Sequence, residues 1–296
     1  MELNHWPNLV TMFIQQAQRK GDAPFLWEKR DTKWHSTTWN EALRQIESLA
    51  NALRSYGLDS GDRVVLVADN SPEWAIADFA IMAAGGITVP AYVTNTASDH
   101  KHILNDSGAT MAIVSTARLA RPLLEAAEET NTLSRLITIE PLANPAENKL
   151  ETTLWTQALD VGSSQEGSLL DDAANIKQDA LACLIYTSGT GGTPKGVMLS
   201  HRAILCNCVG AYHLLKELGL DDEVFLSFLP LSHSYEHSCG LMFPVAIGAQ
   251  IYYAEGIDKL SSNLTEVRPT TMTSVPRLYE VMRLKILDGI RRTGGL

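Results

Sequence analysis

Short apolar strand patterns alternate with amphipathic helix patterns through the first half of the sequence. Continuous apolar runs predict buried strands at 62–68, 86–93, 110–115 and 135–140. Helices are predicted at 38–56, 71–84, 98–106 and 116–130. Pro122 is expected to bend or restart the last of these helices. Such alternation favours a parallel sheet covered on both faces. It therefore predicts an α/β fold of layered, mostly parallel sheets flanked by helices.

Two of the predicted helices carry specific start signals. Thr38 and Glu41 have the spacing of a capping box. Ser71 can cap the next helix, and Pro72 then occupies its first position, where a missing N–H has no cost. These signals fix where both helices should begin.

The second half of the sequence is less regular. Residues 141–178 contain few apolar runs and are expected to form mostly a surface connection. Strands are then predicted at 181–186, 196–199, 223–229 and 249–254, with one more leading to Pro276. Helices are predicted at 201–218, from about 234, and at 257–267.

Charge and cysteine content narrow the class of protein. The formal net charge is −10 with the acids scattered, which argues against nucleic-acid binding. No basic region followed by an apolar run opens the sequence, so no signal peptide is predicted. We expect a cytoplasmic protein. Its cysteines are expected to be buried free thiols in a reducing compartment: Cys183, Cys206, Cys208 and Cys239.

A glycine-rich segment, TSGTGGTPKG, follows the predicted strand at 181–186. Glycines let a backbone turn tightly and point N–H groups inward, while the hydroxyls and one lysine add donors and charge, which suits a polyphosphate. The Walker A pattern fails because Lys195 lies between Pro194 and Gly196, and the dinucleotide pattern G-x-G-x-x-G fails because Pro194 stands in place of its third glycine. The alternative is a flexible surface turn. The candidate phosphate-binding residues are Thr187, Ser188, Gly189, Thr190, Gly191, Gly192, Thr193 and Lys195.

The stretch HSYEH, residues 233–237, has the H-x-x-E-H spacing of one class of zinc peptidases. On a helix, His233 and His237 would share a face, with Glu236 as a base. A third ligand would be required, and Glu255, Glu266 and Glu280 are the candidates. Five-residue patterns also arise by chance, so we predict no metal site here.

Several segments carry a family resemblance. YTSGTGGTPKGVMLSH resembles the signature loop of the adenylate-forming (AMP-binding) superfamily, which includes acyl-CoA synthetases, luciferases and the adenylation domains of peptide synthetases. Gly191 departs from the family, whose members usually carry Thr or Ser there. Residues 61–109, FLPLSHSYEH (228–237) and SVPRLYEVM (274–282) are most similar to long-chain acyl-CoA synthetases. The resemblance covers the whole chain.

The resemblance implies a fatty acid–CoA ligase that uses ATP, Mg²⁺ and coenzyme A. A long-chain carboxylate attacks the α-phosphate of ATP, pyrophosphate leaves, and the acyl-adenylate then passes its acyl group to CoA. The loop would hold the β- and γ-phosphates, and Lys195 would offset their charge. His233 falls at the histidine of the family's LPL-x-H motif and would orient the acyl group beside the α-phosphate. Glu236 and His237 would support the pocket wall.

The resemblance also implies two subdomains. One spans residues 62–212 and carries the phosphate loop, and the other combines 1–61 with 213–296. The family's later motifs are not found in the sequence: an aromatic-Gly-x-Thr-Glu adenine motif, a Thr-Gly-Asp ribose motif and the C-terminal lid domain. We therefore expect a truncated N-terminal portion that has little or no ligase activity alone.

Two other interpretations stay open. The chain could belong to an enzyme that activates an aryl acid or an amino acid, or it could be a non-enzymatic nucleotide-binding short form. The expected partners are ATP, a fatty acid and CoA, without nucleic acid. Peripheral contact with the inner face of a membrane also stays open: a fatty substrate favours it, but the sequence contains no basic amphipathic helix that would indicate it. Acyl chain length and oligomeric state are not predicted.

Overall fold

The computed structural model describes residues 6–142, 150–165, 169–187, 193–220 and 222–292. The strands are β1 (Pro24–Arg30), β2 (Lys33–Thr38), β3 (Arg63–Val67), β4 (Ile87–Pro90), β5 (Met111–Val114), β6 (Arg135–Thr138), β7 (Glu151–Leu154), β8 (Leu181–Thr187), β9 (Lys195–Ser200), β10 (Val224–Ser227) and β11 (Gln250–Tyr253). They form a seven-stranded sheet in the order β7-β6-β5-β3-β4-β8-β9 and a four-stranded sheet in the order β10-β11-β1-β2.

Both sheets are mostly parallel. In the larger sheet each neighbouring pair is parallel except β8 and β9. In the smaller sheet β11 runs parallel to both β10 and β1, while β1 and β2 form an antiparallel hairpin. The predicted class, an α/β fold with mostly parallel sheets, is confirmed.

The helices connect and cover these strands. They are α1 (Leu9–Lys20), α2 (Trp39–Ser55), α3 (Pro72–Ala83), α4 (Ala97–Ser107), α5 (Ala117–Thr130), α6 (Trp155–Ser163), α7 (Leu169–Asn175), α8 (His201–Leu215), α9 (Ser234–Glu236), α10 (Phe243–Ile247), α11 (Leu260–Val267) and α12 (Pro276–Arg292). A 3₁₀ turn, Lys216–Leu218, extends α8, and a π-helix, His237–Met242, joins α9 to α10.

The predicted helix starts are confirmed. Thr38 accepts the N–H of Glu41 at 3.2 Å, and the Glu41 carboxylate accepts the N–H of Thr38 at 2.8 Å. Ser71 accepts the N–H of Trp74 at 3.2 Å, with Pro72 first in the helix. Pro122 lies inside α5, which continues on both sides of it, so the helix does not restart there.

The prediction of mostly a surface connection over residues 141–178 misses three elements in the part of this region that the structure describes, and its residues 143–149 and 166–168 lie outside the described ranges. The described part of this region forms β7, α6 and α7, and Trp155 and Ala158 of α6 are buried. A Cβ on Gly162 would overlap the carbonyl group of Ser48 in α2. Few apolar residues are needed here because small residues let α6 pack directly on the α2 backbone.

Three further differences separate the structure from the prediction. Helix α1 and the β1–β2 hairpin are not among the predicted elements. Five of the six β2 side chains in KWHSTT are polar, which hides the strand. No strand leads to Pro276, where only an isolated bridge between Phe225 and Thr271 forms among the described residues.

Helix α3 lies between the two sheets. Each of its residues except Glu73 is buried. It packs on β3 and β4 of the larger sheet and on β1 of the smaller one. On the side of the smaller sheet, Phe79 of α3 stacks near Phe13 of α1 with ring centroids 4.8 Å apart. This buried helix joins the sheets into one layered core.

The cysteines are all free, but only two match the predicted burial. Cys183 and Cys208 are buried, whereas Cys206 is exposed and Cys239 is half-buried. The expectation of four buried thiols is wrong for the latter two. Cys206 and Cys208 lie two apart on α8, so they face opposite sides of that helix. In the described parts of the chain, no helix has the length and apolar character needed to cross a membrane.

Candidate active site

The glycine-rich loop connects β8 to β9 at the edge of the larger sheet. Ser188, Gly189, Thr190, Gly191 and Gly192 lie outside the described residues. The residues on either side of them, Thr187, Thr193 and Lys195, have exposed side chains, and we call them the loop flank. Thr187 pairs with Lys195 across the antiparallel strands. The flank therefore presents two hydroxyls and one ammonium group to solvent.

Helix α4 anchors the loop flank. His102 donates from Nε2 to the carbonyl oxygen of Pro194 at 2.8 Å, directly before Lys195. Its ring lies edge-on to Tyr186, with centroids 5.9 Å apart. The Tyr186 hydroxyl donates to Asp106 at 2.7 Å, and burial together with this carboxylate raises the Tyr186 pKa. Sequence patterns did not single out His102 or Asp106, although their spacing, four residues apart on a predicted helix, is a signal that could have indicated this anchor.

His233 begins α9 beyond β10. Its Nδ1 accepts the N–H of Tyr235 at 3.1 Å, so the histidine caps the helix. In a neutral ring the proton then resides on Nε2, which becomes a donor. The side chain is exposed. Among the described residues, no hydrogen bond or ion pair joins His233 to Lys195.

Residues 228–233, which we call the β10 loop, are tied to the other sheet by Asn70. This residue follows β3, and its Nδ2 donates to the carbonyl oxygen of Leu229 at 2.7 Å. Nδ2 also lies 3.2 Å from the Ser227 hydroxyl, and Oδ1 accepts the N–H of Leu231 at 3.0 Å. One amide thus uses its donor and acceptor ends to hold the loop.

A buried carboxylate lies beneath the β10 loop. Glu236 is fully buried; its Oε1 accepts from the Ser227 hydroxyl at 2.6 Å, and its Oε2 accepts from the Thr273 hydroxyl. Burial raises the Glu236 pKa to about 7, although both hydrogen bonds act in the opposite direction. We refer to Asn70, Ser227, Glu236 and Thr273 as the clasp residues. Sequence patterns did not single out Asn70, Ser227 or Thr273.

His237 belongs to a separate buried pair. Its Nε2 donates to Asp78 of α3 at 2.9 Å, and both side chains are fully buried. The Trp74 ring packs edge-on against it at 5.9 Å. His233, Glu236 and His237 therefore each face a different partner.

The third ligands considered for a zinc site are also engaged elsewhere. Glu255 and Glu266 both contact Lys29, and Glu280 pairs with Arg277. No group of three potential metal-ligating residues comes together in the described ranges. The H-x-x-E-H spacing thus does not assemble a set of ligands here.

Two of the cavities that described residues line lie at the ends of the parallel strands, and these two are the candidates for the binding site. The larger, about 420 Å³, lies where β4 and β8 begin and is lined in part by Gly85, Leu181 and Arg54. A cavity of about 230 Å³ lies at the opposite edge and is lined by residues that follow β3, β4, β10 and β11. Ligands of open α/β sheets bind beyond the carboxyl ends of the strands. Size favours the first cavity, but topology favours the second, where the β10 loop also lies.

The sequence profile of the AMP-binding enzyme family matches residues 13–293. The chain is 29% identical over 281 residues to the long-chain-fatty-acid–CoA ligase ACSBG2 of Xenopus laevis, covering 93% of this chain and 38% of the relative. It is 31% identical over 277 residues to the long-chain-fatty-acid–CoA ligase FadD15 of Mycobacterium tuberculosis, covering 92% and 44%. The chain thus spans less than half the length of these relatives.

Solved structures share the fold. The A domain of carboxylic acid reductase from Segniliparus rugosus, in complex with AMP and a co-purified carboxylic acid, matches with a TM-score of 0.84 at 20% identity, covering 98% of this chain and 51% of that one. A benzoate CoA ligase from Burkholderia xenovorans matches with a TM-score of 0.74 at 26% identity, covering 92% and 51%.

Proposed function

The chain belongs to the AMP-binding enzyme family, and on this basis we propose that the full-length protein is an ATP-dependent long-chain fatty acid–CoA ligase. A long-chain carboxylate attacks the α-phosphate of ATP and pyrophosphate leaves; the acyl-adenylate then transfers its acyl group to the CoA thiol, and AMP leaves. The observation that supports this substrate class is the 29–31% identity to long-chain-fatty-acid–CoA ligases over 92–93% of the chain.

The proposed division into subdomains follows the sheets. Strands β3 to β9 of the larger sheet fall within residues 62–212, and the strands of the smaller sheet fall within 1–61 and 213–296. The fold itself is that of the N-terminal part of adenylation domains, of which the chain covers about half. In this proposal the substrates meet at the carboxyl edge, where loops from both subdomains line one cavity.

The glycine-rich loop is proposed to hold the β- and γ-phosphates. Support comes from the exposed hydroxyls and ammonium group of the loop flank and from the donors that the sequence places between them. Chemistry at phosphorus mainly requires positioning and charge stabilisation. Lys195 acts as a fixed positive charge against the leaving pyrophosphate.

His233 is proposed to donate from Nε2 to the acyl carboxylate beside the α-phosphate. Its Nδ1 is occupied as a helix cap, so the free end of the ring is the donor. Two anions that approach each other repel, and a donor placed between them lowers that cost. In this proposal the cap contact at Nδ1 keeps the exposed ring of His233 in one orientation, with Nε2 free to donate.

Mg²⁺ is part of the proposed reaction as the companion of ATP. The described residues bring no three potential ligands together, so they do not form a protein cage for the ion. Mg²⁺ commonly keeps several waters and binds through substrate phosphates. The ion would neutralise phosphate charge there.

Acid-dependent formation of CoA thioesters by the full-length protein tests the proposal. ATP, CoA and one acid from a series such as palmitate, octanoate, benzoate and alanine would be supplied, with AMP and thioester measured by mass spectrometry. We expect palmitoyl-CoA with one AMP per thioester. The proposal would be overturned if the protein consumed ATP with none of these acids.

An aryl-acid ligase is the second candidate, because the benzoate CoA ligase shares 26% identity with this chain. It predicts benzoyl-CoA in preference to palmitoyl-CoA in the same assay. The 296-residue chain alone is proposed to lack ATP–pyrophosphate exchange, since it spans 38–44% of the relatives named above. Robust exchange by the purified chain would contradict this, whereas tight ATP binding without exchange would favour a nucleotide-binding short form.

A further inference from the structure

The β10 loop is held from two directions. Asn70 reaches it from the end of β3, and Glu236 reaches its base from α9. Both residues bond to the Ser227 hydroxyl, which accepts from Asn70 and donates to Glu236. One hydroxyl thus links the amide to the carboxylate.

The chemistry of each clasp residue suits this arrangement. An asparagine side chain has both donors and an acceptor, and Asn70 uses both ends on backbone groups two residues apart, Leu229 and Leu231. An aspartate or a leucine in its place could not make both contacts. A buried carboxylate is costly unless its oxygens accept hydrogen bonds, and each Glu236 oxygen accepts one from a hydroxyl.

The packing also reserves space for Glu236. Gly240 lies one turn further along the helix, and a Cβ there would overlap the Glu236 carboxyl group. Thr273 lies in the segment between α11 and α12, so Glu236 ties three separate segments together. Such fully satisfied buried networks fix one geometry.

This geometry reaches His233. The loop closes on itself through the N–H of His233, which donates to the Pro230 carbonyl at 2.9 Å. The His233 carbonyl then accepts the N–H of His237 at 2.9 Å, on the same short helical segment as Glu236. The backbone of His233 is therefore placed by residues that lie on both sides of it.

We propose that Asn70, Ser227 and Glu236 are positioning residues that hold the β10 loop, whose Ser232 lines the cavity at the carboxyl edge, and thereby hold the Nε2 donor of the next residue, His233, beside that cavity. The inference rests on the proposed function, in which that donor meets the acyl carboxylate. It assigns these residues no contact with substrate.

The test compares Asn70→Ala, Ser227→Ala and Glu236→Gln in the full-length protein. We expect kcat for adenylate formation to fall at least about tenfold, because small misplacements of a reacting group carry large rate penalties. The KM for ATP is expected to stay within about twofold, since the phosphates are held by another loop. If Asn70→Ala does not fold, Ser227→Ala, which removes a single hydroxyl, decides.

Asn8→Ala is the matched control. Asn8 also makes three hydrogen bonds with its amide, to Ala173, Ile176 and Thr11, but it lies at the start of α1. Its loss should destabilise the fold similarly while kcat stays within about twofold. Equal kcat in the clasp variants and in Asn8→Ala would overturn the proposal.

A second readout does not depend on turnover. The ¹⁵N signals of His233 report which ring nitrogen carries the proton, and we expect the Nε2–H form in the wild type and in Asn8→Ala. Mixed tautomers are expected in Asn70→Ala and Ser227→Ala, and unchanged signals would overturn the proposal. A wild-type protein that activates no acid would instead overturn the proposed function, and the tautomer comparison would still decide the clasp.

Discussion

The loop flank and the clasp residues lie at the same edge of the sheets but differ in their contact with water. Thr187, Thr193 and Lys195 are exposed, whereas three of the four clasp residues are buried and the fourth, Asn70, is half-buried. A group that binds a ligand directly must be reachable before the ligand arrives. A group that positions another residue gains from burial, because hydrogen bonds in a low-dielectric surrounding are stronger and hold one geometry. Changes in the two regions should therefore fail in different assays.

Gly240→Ala should give the largest effect, and it should appear in stability. The added methyl group would displace the Glu236 carboxylate from its two hydroxyl partners. We expect the free energy of unfolding to fall by about 3 kcal/mol, as for other overpacked cores. Urea unfolding followed by circular dichroism measures it.

Gly210→Ala supplies the control for that substitution. Gly210 also lies within a helix, α8, but a Cβ there would meet no atom within 4 Å. Gly210→Ala should raise the free energy of unfolding by about 0.5–1 kcal/mol, because alanine has the higher helix propensity. Equal losses in both variants would show that the space around Glu236 is not closely packed, and would weaken the contrast between the two regions.

The pH dependence of stability should distinguish Glu236 from exposed carboxylates. Its folded pKa of about 7 lies above the ordinary value of 4.5, so its contribution is complete below pH 4.5 and disappears as pH rises through 7. His100 and His201 have folded pKa values near 4 because of burial, and they act with the opposite sign between pH 4 and 6.5. The wild-type curve alone therefore mixes these effects.

Glu236→Gln isolates the carboxylate, because both histidines and the neighbouring Asp78–His237 pair remain. The stability difference between wild type and variant should change by about 2 kcal/mol between pH 5 and pH 7, with the wild type losing ground as pH rises. Parallel curves for the two proteins would mean that Glu236 titrates as an exposed carboxylate does.

Local signals explain which parts of the fold were predictable. The strands β3 to β6 and the helices between them follow from apolar runs and from caps such as Ser71, all readable within a few residues. β2 was missed because most of its side chains are polar, and α6 because it packs through Gly162 rather than through many apolar residues. The pairing of β2 and the packing of α6 both depend on which segment of the chain lies opposite in space.

The same distinction applies to the candidate site. The glycine-rich loop is one contiguous segment, so its hydroxyls, glycines and lysine stand together in the sequence. Asn70 is separated by 159 residues from Leu229, which it holds. Nothing near Asn70 indicates that role until β3 and β10 are placed at the same edge. Positioning residues of this kind become visible only with the two sheets in place.

Lys195→Ala should leave stability nearly unchanged and reduce function. Lys195 is exposed, so its truncation should change the free energy of unfolding by less than about 0.5 kcal/mol. ATP binding or adenylation in the full-length protein should weaken at least about tenfold, or roughly 1.4 kcal/mol. The rate of ATP–pyrophosphate exchange, recorded as a function of ATP concentration, measures this loss. Lys33→Ala, on exposed β2, is the control, and its ATP binding and adenylation should match those of the wild type. If the loop flank held no phosphate, Lys195→Ala would also match the wild type.

His102→Ala should give the smallest effect and shows where the two regions resemble each other. The histidine supports the exposed flank from beneath through one partly buried hydrogen bond to Pro194. Removing it should cost about 1 kcal/mol of stability, the usual net value of such a bond. Thermal unfolding, with exposed His35→Ala as the control, measures this difference. The KM for ATP should also rise in His102→Ala, because Pro194 directly precedes Lys195. Equal melting temperatures and equal KM values in both variants would mean that α4 does not anchor the loop flank. In that case only the β10 loop at this edge would be held by supporting side chains.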